Sequence, residues 1–305
     1  MTRKYSIIIP SYNEEKDIAK TIDSLLHLDW DNYEIIIVDD STDNTPQILR
    51  TYTDPRIQLV FPSKKEGRCG ARNIGINLAE GQVVVILNAD VILPSTFIFS
   101  IDQHYQRNAD VVMGISKVIN TKSPYARYVD CLSQYHDSSK DSKTIYWTEG
   151  YSCKRELAIN AGLFPSGYPI PLCSGEDAVF GRKVAELSHK VIYDEHLVCH
   201  HYAPSTLSEY WYIRKGRGAG SPLMRYFYYK ISIFIIVLIA IIRAISTFLA
   251  IATFIVPLYR SFQLARYSKK GYIDIPIFCW TWSIEKIAFC YGELTSIKQI
   301  TQLNP

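Results

Sequence analysis

Residues 5–10 form an unbroken run that is apolar on both faces and rich in isoleucine, which predicts a central parallel strand rather than a half-exposed one. Behind it, positions 15–28 place Ile18, Ile22, Leu25 and Leu26 at helical spacing. Residues 33–38 repeat the buried-strand pattern, and Asp39-Asp40-Ser41-Thr42-Asp43 closes it with turn and cap formers. A helix is expected over 45–52, a strand over 57–61 and a helix over 70–79 with Ile74, Leu78 and Ala79 facing inward. A fourth strand follows at 83–87. Alternation of this kind is the pattern of an open, mostly parallel sheet with helices on both faces, whose ligands bind beyond the carboxyl ends of the strands. The polar clusters at 11–15, 39–43 and 88–90 fall there, each directly after a strand.

Beyond Pro94 the pattern is less regular. It predicts a helix over 95–107, a strand over 111–116, a polar loop at 138–143 and a mobile Gly/Pro-rich stretch at 166–174. A helix over 179–188 starts just after Glu176-Asp177, and short strands are expected at 190–193 and 197–199. No internal repeat is visible.

The apolar stretch 231–258 carries one charge, Arg243, and is long enough to cross a hydrocarbon core with tilt. On a helical wheel Ser232, Arg243, Ser246, Thr247, Ala250 and Thr253 share a side, a small and polar stripe suited to packing on a neighbouring helix. Basic residues flank both ends, Arg225 and Lys230 before and Arg260, Arg266, Lys269 and Lys270 after. Symmetric flanks favour a re-entrant hairpin or an in-plane helix over a single crossing, and a buried soluble helix is the competing reading.

Composition narrows the class. A chain of 305 residues with 48% hydrophobic and 21% charged side chains is globular, with room for one large α/β domain plus an appendage, or two domains. The net charge of +3 is too mild, and too evenly spread over the first two thirds, to expect a nucleic-acid partner. Seven cysteines with no C-x-x-C pair suit neither a disulfide framework nor a zinc site and point to a reducing environment. The first apolar run is only strand-length and is followed at once by Asn13, Glu14 and Glu15, so no signal peptide is expected and the first domain is expected to stay where it is made.

Five motifs in series, SIIIPSYNEE, IIIVDDSTDNT, GRCGARNIGI, VVILNADVILP and GLFPSGYPIPLCSGEDAVFGRKV, resemble those of the family 2 glycosyltransferases, over roughly residues 5–220. The resemblance implies a GT-A fold, a Rossmann-like nucleotide-diphospho-sugar transferase domain, here followed by a hydrophobic helical membrane-associated segment. The division expected is 1–220 for catalysis and 221–305 for membrane attachment. It implies inverting transfer from a UDP- or GDP-sugar to a glycan, polysaccharide or lipid-linked acceptor, with Mg²⁺ or Mn²⁺, on the cytoplasmic face of a membrane.

Residues carry over as follows. Pro10, Tyr12 and Glu14 leave the first strand, where backbone groups and the Tyr12 ring suit base and ribose. Asp40 takes the position that accepts a hydrogen bond from a base N–H; both Asp39 and Asp40 also suit helix capping, and only one of them needs to face a ligand. In 67–72, ahead of a helix, two arginines sit among glycines; Arg72 matches the family's arginine as a diphosphate or ribose clamp, and Arg68 reads as a solvated surface side chain. Asn88-Ala89-Asp90 occupies the Asp-x-Asp metal motif, so Asp90 offers an anionic oxygen and Asn88, departing from aspartate, a neutral one. Glu176-Asp177 matches the acidic pair, with Asp177 as the base that deprotonates the acceptor; a helix-start acid is also favoured by the helix dipole, and the two roles are compatible. His200, rather than His201, fits the position that reaches the diphosphate or its metal. Arg214, Lys215 and Arg217 among Gly216, Gly218 and Gly220 read as a basic, hinge-like segment that closes over the diphosphate or touches anionic headgroups.

Two other readings compete with this one. A Rossmann dehydrogenase or methyltransferase needs a glycine-rich turn after the first strand, and Pro10-Ser11-Tyr12-Asn13 is not one. A catalytically impaired GT-A-like membrane scaffold is favoured by Asn88 and opposed by Asp90, Glu176 and Asp177.

Overall fold

A computed structural model describes residues 3–137 and 149–303; the loop expected at 138–143 lies outside the described residues. The chain alternates β1 (Tyr5–Ser11), α1 (Ile18–Leu26), β2 (Tyr33–Asp39), α2 (Thr45–Leu49), β3 (Ile57–Val60), α3 (Gly67–Leu78) and β4 (Val83–Ile86). It continues through β5 (Val91–Ile92), α4 (Phe97–Gln106), β6 (Val111–Val118), α5 (Pro124–Asp137), β7 (Tyr151–Lys154), α6 (Arg155–Asn160), α7 (Glu176–Leu187) and β8 (Val191–His201).

The strands form one mixed sheet in the order β3-β2-β1-β4-β7-β6-β8-β5. β1, β2, β3 and β4 are parallel, while β7 runs antiparallel to both β4 and β6. From β1 the chain winds outward through β2 and β3, then returns to place β4 on the other side of β1. That reversal opens a crevice at the carboxyl ends of β1 and β4, the place where such sheets bind ligands.

Alternation within each strand sets the layers. Ile7 and Ile9 of β1, Ile35 and Ile37 of β2 and Val83 and Val85 of β4 share a fully buried cluster with Ile18, Ile22 and Leu25 of α1 and Phe97, Ile98 and Ile101 of α4. Ile8 points to the opposite face, against α3, where a Cβ on Gly75 would stand 2.4 Å from its Cγ2. Glycine at position 75 is therefore what lets α3 lie close on the sheet.

Several elements differ from expectation. α1 begins at Ile18 because Glu14 first makes a turn, its carbonyl accepting from the N–H groups of Asp17 and Ile18. On α3, Ala71, Arg72 and Ile76 face inward while Leu78 is exposed. The two short strands expected at 190–199 are one strand, β8, whose middle residues Glu195 and His196 lie exposed and so broke the apolar pattern without breaking the strand.

The chain divides into two compact units: residues 1–117, 143–171 and 176–202, and residues 118–142, 172–175 and 203–305. In the second, α8 (Leu207–Leu223), α9 (Ile233–Thr253), α10 (Ile255–Ala265) and α5 all pack on the long α11 (Ile275–Leu303). Its core joins Tyr128 and Cys131 of α5, Tyr210 of α8, Leu264 of α10 and Phe278 and Trp282 of α11. The apolar stretch read as one segment is two helices, broken at Phe254 in a left-handed conformation (φ 58°). The lone charge of α9 is spent inside the unit, since Arg243 Nε lies 3.0 Å from Glu293 of α11. The basic glycine segment is no hinge. It lies within α8, where Arg214 is buried beside Glu285 and a Cβ on Gly218 would meet the Phe289 carbonyl oxygen at 2.0 Å. Gly218 thereby lets the backbones of α8 and α11 touch.

Candidate active site

Two loops meet at the carboxyl ends of β1 and β2. Asn13, in the left-handed region at φ 58°, accepts from the Thr42 N–H at 2.8 Å and donates its own N–H to Ser41 Oγ at 2.7 Å. The Glu14 N–H donates to Thr45 Oγ1 at 2.9 Å. So laced, the first loop presents Tyr12 outward with Lys65 Nζ 3.9 Å from its ring centroid, and that ammonium holds the phenol below its ordinary pKa. Pro10, opposite Val38 in the β1–β2 register, ends the apolar part of β1 one step before this loop.

Of the adjacent aspartates, Asp39 is buried and accepts from Ser41 Oγ at 2.5 Å, with burial pushing its carboxyl up. Asp40 reaches across to the start of α3, accepting at Oδ2 from the N–H groups of Glu66 and Gly67, both at 3.2 Å. It ties the end of β2 to the helix that bears both arginines. Gly67 at φ 67° makes that turn, and a Cβ there would lie 2.6 Å from Pro171.

After β4 the chain presents Asn88 and Asp90. Asn88 Oδ1 accepts from Arg72 Nη2 at 3.1 Å, and its Nδ2 faces Glu149 Oε1 at 3.5 Å. An amide bridges a cation and a carboxylate where an aspartate would repel the second. Asp90 loses water and feels the Glu149 carboxylate, with His201 opposing, so its pKa is pushed up to about 6. Glu14 is raised further, to about 8, by burial and by the charges of Asp90 and Asp17. Among the described residues, no three His, Cys, Asp or Glu side chains are grouped so as to hold a metal ion on their own.

The histidine that Asp90 feels is His201, not His200. His201 pairs with Val91, the residue after Asp90, whereas His200 pairs with Ile92 one step further on. Successive strand residues face opposite sides, so the two histidines cannot share this role.

α7 starts with its acids in the first turn. Glu176 is 1% exposed, and its Oε1 lies 3.2 Å from Arg72 Nη1 and 3.6 Å from Arg68 Nη1. Asp177 caps its own turn, accepting from the Ala178 N–H at 2.8 Å, and its carboxyl is raised by burial and by Glu176. Arg72 differs from its sequence reading, whereas Arg68 is exposed as read but also carries an ion pair. Arg72 is fully buried, stacked 4.9 Å from the Phe164 ring and bonded to Glu176 and Asn88, so no face of it is open to a diphosphate. Arg68 is the accessible one, with a half-exposed side chain anchored on Glu176. Asn73 completes the frame by clamping Phe164 at both its N–H (2.9 Å) and its C=O (2.8 Å).

The first unit thus joins Tyr12, Glu14, Asp40, Asn88, Asp90, Glu176 and Asp177 through contacts that run along α3 and the strand ends. Arg72 serves from beneath, and His200 falls outside. Glu149, His201, Asn73 and the ion pair of Arg68 were not foreseen. Glu149 stands in no motif, and nothing in composition separates a buried arginine from an exposed one four residues away.

A mixed α/β sheet with acidic residues at its carboxyl edge defines a GT-A type transferase fold. The family model for glycosyl transferase family 2 matches residues 6–168, and the chain belongs to that family. It is 34% identical over 164 residues to glycosyltransferase GlyG of Streptococcus pneumoniae, covering 52% of this chain and 48% of GlyG. It is 32% identical over 126 residues to the UDP-Glc:alpha-D-GlcNAc-diphosphoundecaprenol beta-1,3-glucosyltransferase WfgD of Escherichia coli, covering 41% of this chain and 50% of WfgD. The chain spans about half the length of these curated relatives. Among solved structures, S. aureus TarS (residues 1–349) in complex with UDP-GlcNAc shares the fold at TM-score 0.56 and 20% identity, over 70% of this chain and 66% of that one. The mannosyltransferase PcManGT from Pyrobaculum calidifontis, in complex with GDP-Man and Mn²⁺, does so at TM-score 0.56 and 22% identity, over 73% and 63%.

Proposed function

We propose that this chain is an inverting glycosyltransferase that moves a sugar from a UDP- or GDP-sugar to a glycan or lipid-linked acceptor at a membrane surface. The observation that supports it most is the adjacency of Asp177 to the Glu176–Arg72–Asn88 bridge, because that bridge ties the candidate base to the loop bearing Asp90. Tyr12 and Asp40 flank the place for the nucleoside. Asp177, raised above the ordinary aspartate range, is a better proton acceptor than a solvated aspartate. It takes the acceptor hydroxyl's proton as the new C1–O bond forms and the C1–O bond to the diphosphate breaks on the other face of the sugar.

Mn²⁺ or Mg²⁺ fits the donor set here. The Glu149 carboxylate raises Asp90, and Asp90 in turn raises Glu14, a like-charge crowding that a hard cation bound at Asp90 would relieve. Asp90 would hold it together with diphosphate oxygens, and the bound ion supplies charge neutralisation for the departing diphosphate. Asp90's own part is to stay ionised and aimed at that place, which Glu149 opposes and His201 favours.

Residues 1–220 would then hold the chemistry and 221–305 the membrane contact, with the site on the cytoplasmic side. α9 is the support: 21 residues, long and apolar enough to cross a membrane, with only Ile236 and Ala240 buried and Phe234 and Phe248 more than 70% exposed. Relatives named for undecaprenol-linked and poly-β-1,6-N-acetylglucosamine products make a lipid-linked or polysaccharide acceptor the natural choice. The test is hydrolysis and transfer with UDP- and GDP-sugars, with and without Mn²⁺, by the parent and Asp177→Asn. Transfer lost in Asp177→Asn with nucleotide binding intact is expected; equal rates would remove the base assignment.

A further inference from the structure

Within the second unit, Glu293 of α11 is 1% exposed and stands between two arginines. Its Oε1 lies 3.7 Å from Nη1 of Arg225, in the π-helical turn Met224–Tyr228 that follows α8, and its Oε2 lies 3.0 Å from Nε of Arg243, halfway along α9. Neither contact is aligned as a hydrogen bond, for Nη1 of Arg225 and Nε of Arg243 are both buried without one. Among the described residues, Arg225 and Arg243 pair with no other acid, so one carboxylate answers two guanidinium groups and the cluster keeps a net charge of +1. A charge in an apolar setting is costly until it meets a counter-charge. The arginines are also the open side of the cluster: 25% of the Arg225 side chain and 37% of the Arg243 side chain are exposed.

The surrounding sequence leans the same way. Residues 203–305 hold 12 Lys and Arg against 4 Asp and Glu, whereas residues 1–202 hold 21 against 26, so the mild overall charge conceals a basic final third. That imbalance calls for an anionic partner, and the exposed Phe234, Ile235 and Phe248 of α9 make the partner a lipid rather than a nucleic acid.

Resting on the membrane contact proposed above, the geometry points to Arg225 and Arg243 as a binding site for the phosphate of an anionic lipid, a phosphodiester headgroup with one net negative charge. Guanidinium nitrogens grip phosphate oxygens bidentately, and a monoanion brings the cluster to neutrality. Arg243 has ten residues of α9 on either side, about 15 Å of helix each way at 1.5 Å per residue. A headgroup therefore reaches it where α9 lies along the leaflet surface, not where it crosses the bilayer. Glu293 holds the arginines together and competes with the phosphate for both of them.

The experiment measures sedimentation of the full chain with phosphatidylcholine vesicles, with and without phosphatidylglycerol, at low and high salt. Exposed lysines such as Lys269 and Lys270 give a preference for the anionic lipid that salt screens, while a partly buried arginine pair is screened much less. The parent is expected to keep about a 10-fold preference at high salt, and Lys269→Gln with Lys270→Gln to keep it too. Arg225→Gln, Arg243→Gln and Glu293→Gln combined, which remove the cluster without stranding a buried carboxylate, are expected to lose it. Should that triple variant not fold, Arg225→Lys with Arg243→Lys, keeping both charges but not the bidentate grip, is expected to lose most of it. Glu293→Gln alone should raise the preference, the opposite of what a purely fastening ion pair predicts. Inorganic phosphate at matched ionic strength is expected to leave the preference in place; if it abolishes it, the site takes free phosphate and the lipid assignment is wrong. A parent with no preference at high salt, a cluster variant that keeps it, or a Glu293→Gln chain that loses it would overturn the proposal. A parent that binds neither kind of vesicle would instead remove the membrane reading, and this inference with it.

Discussion

Arg72 keeps the Glu176 carboxylate tolerable in a buried setting, and the two side chains are each 1% exposed. Removing one partner of such a pair leaves an uncompensated charge, so Arg72→Ala is expected to cost about 3–5 kcal/mol of stability. Urea unfolding measures it, and adding Glu176→Gln to Arg72→Ala should restore part of the loss. Asp177→Asn behaves oppositely: unfolding is little changed, whereas kcat falls by roughly 100- to 10,000-fold. Glu14 carries a pH signature. Its pKa rises from 4.5 to about 8 in the folded chain, so the folded state holds the proton more tightly than the unfolded one. The favourable contribution is therefore present at acid pH and is lost as pH climbs through the range between those values. Melting temperature is expected to fall across that range in metal-free buffer, less steeply in Glu14→Gln, and Mn²⁺ should raise it more at the alkaline end than the acid end. A Mn²⁺ effect independent of pH would argue against carboxylates at this place.

Among the elements, β1 to β4 and the helices between them were legible because each strand is apolar on both faces and each turn is polar, so local pattern and final burial agree. β7 and α6 were not, since Tyr151–Lys154 is four residues long and alternates no more clearly than a loop. α8 and α11 were missed for a different reason: their glycines read as flexibility, and their polar groups are buried by each other. A Cβ at Gly292 would meet the Lys215 carbonyl oxygen at 2.0 Å, mirroring Gly218 against Phe289, while Gly216 has nothing within 4 Å. Gly216→Ala is accordingly expected to be neutral or to stabilise by about 0.5–1 kcal/mol through helix propensity. Gly218→Val or Gly292→Val should instead force α8 and α11 apart and lower the melting temperature sharply; if all three variants melt alike, the close crossing is wrong. At the site itself, motif position singled out acids that the fold brings to the strand ends, but not the arginines' contacts. Those depend on Phe164 and Asn88, which lie 92 residues after and 16 residues after Arg72 in the chain.

For the whole molecule, the division between chemistry and attachment turns on what covers the second unit. Phe234, Phe248, Ile255 and Ile273 are each at least 69% exposed, and they lie on α9, on α10 and just ahead of α11 rather than on one helix. Exposed apolar residues on several neighbouring elements are the kind of surface that meets a membrane or a partner. The left-handed break at Phe254 and the pairing of Arg243 with Glu293 both keep α9 fastened to its own unit, which suits a helix lying in or dipping into one leaflet better than one crossing alone. Basic Arg260, Arg266, Lys269 and Lys270 follow the break, where anionic headgroups would meet them. The full chain is therefore expected to float with vesicles containing anionic lipid and to remain bound at high salt, because apolar insertion rather than charge holds it. Phe234→Asp with Phe248→Asp should release it into the soluble fraction while leaving nucleotide binding unchanged. Release of the parent by salt alone would mean that the basic residues, and not the apolar helices, make the contact.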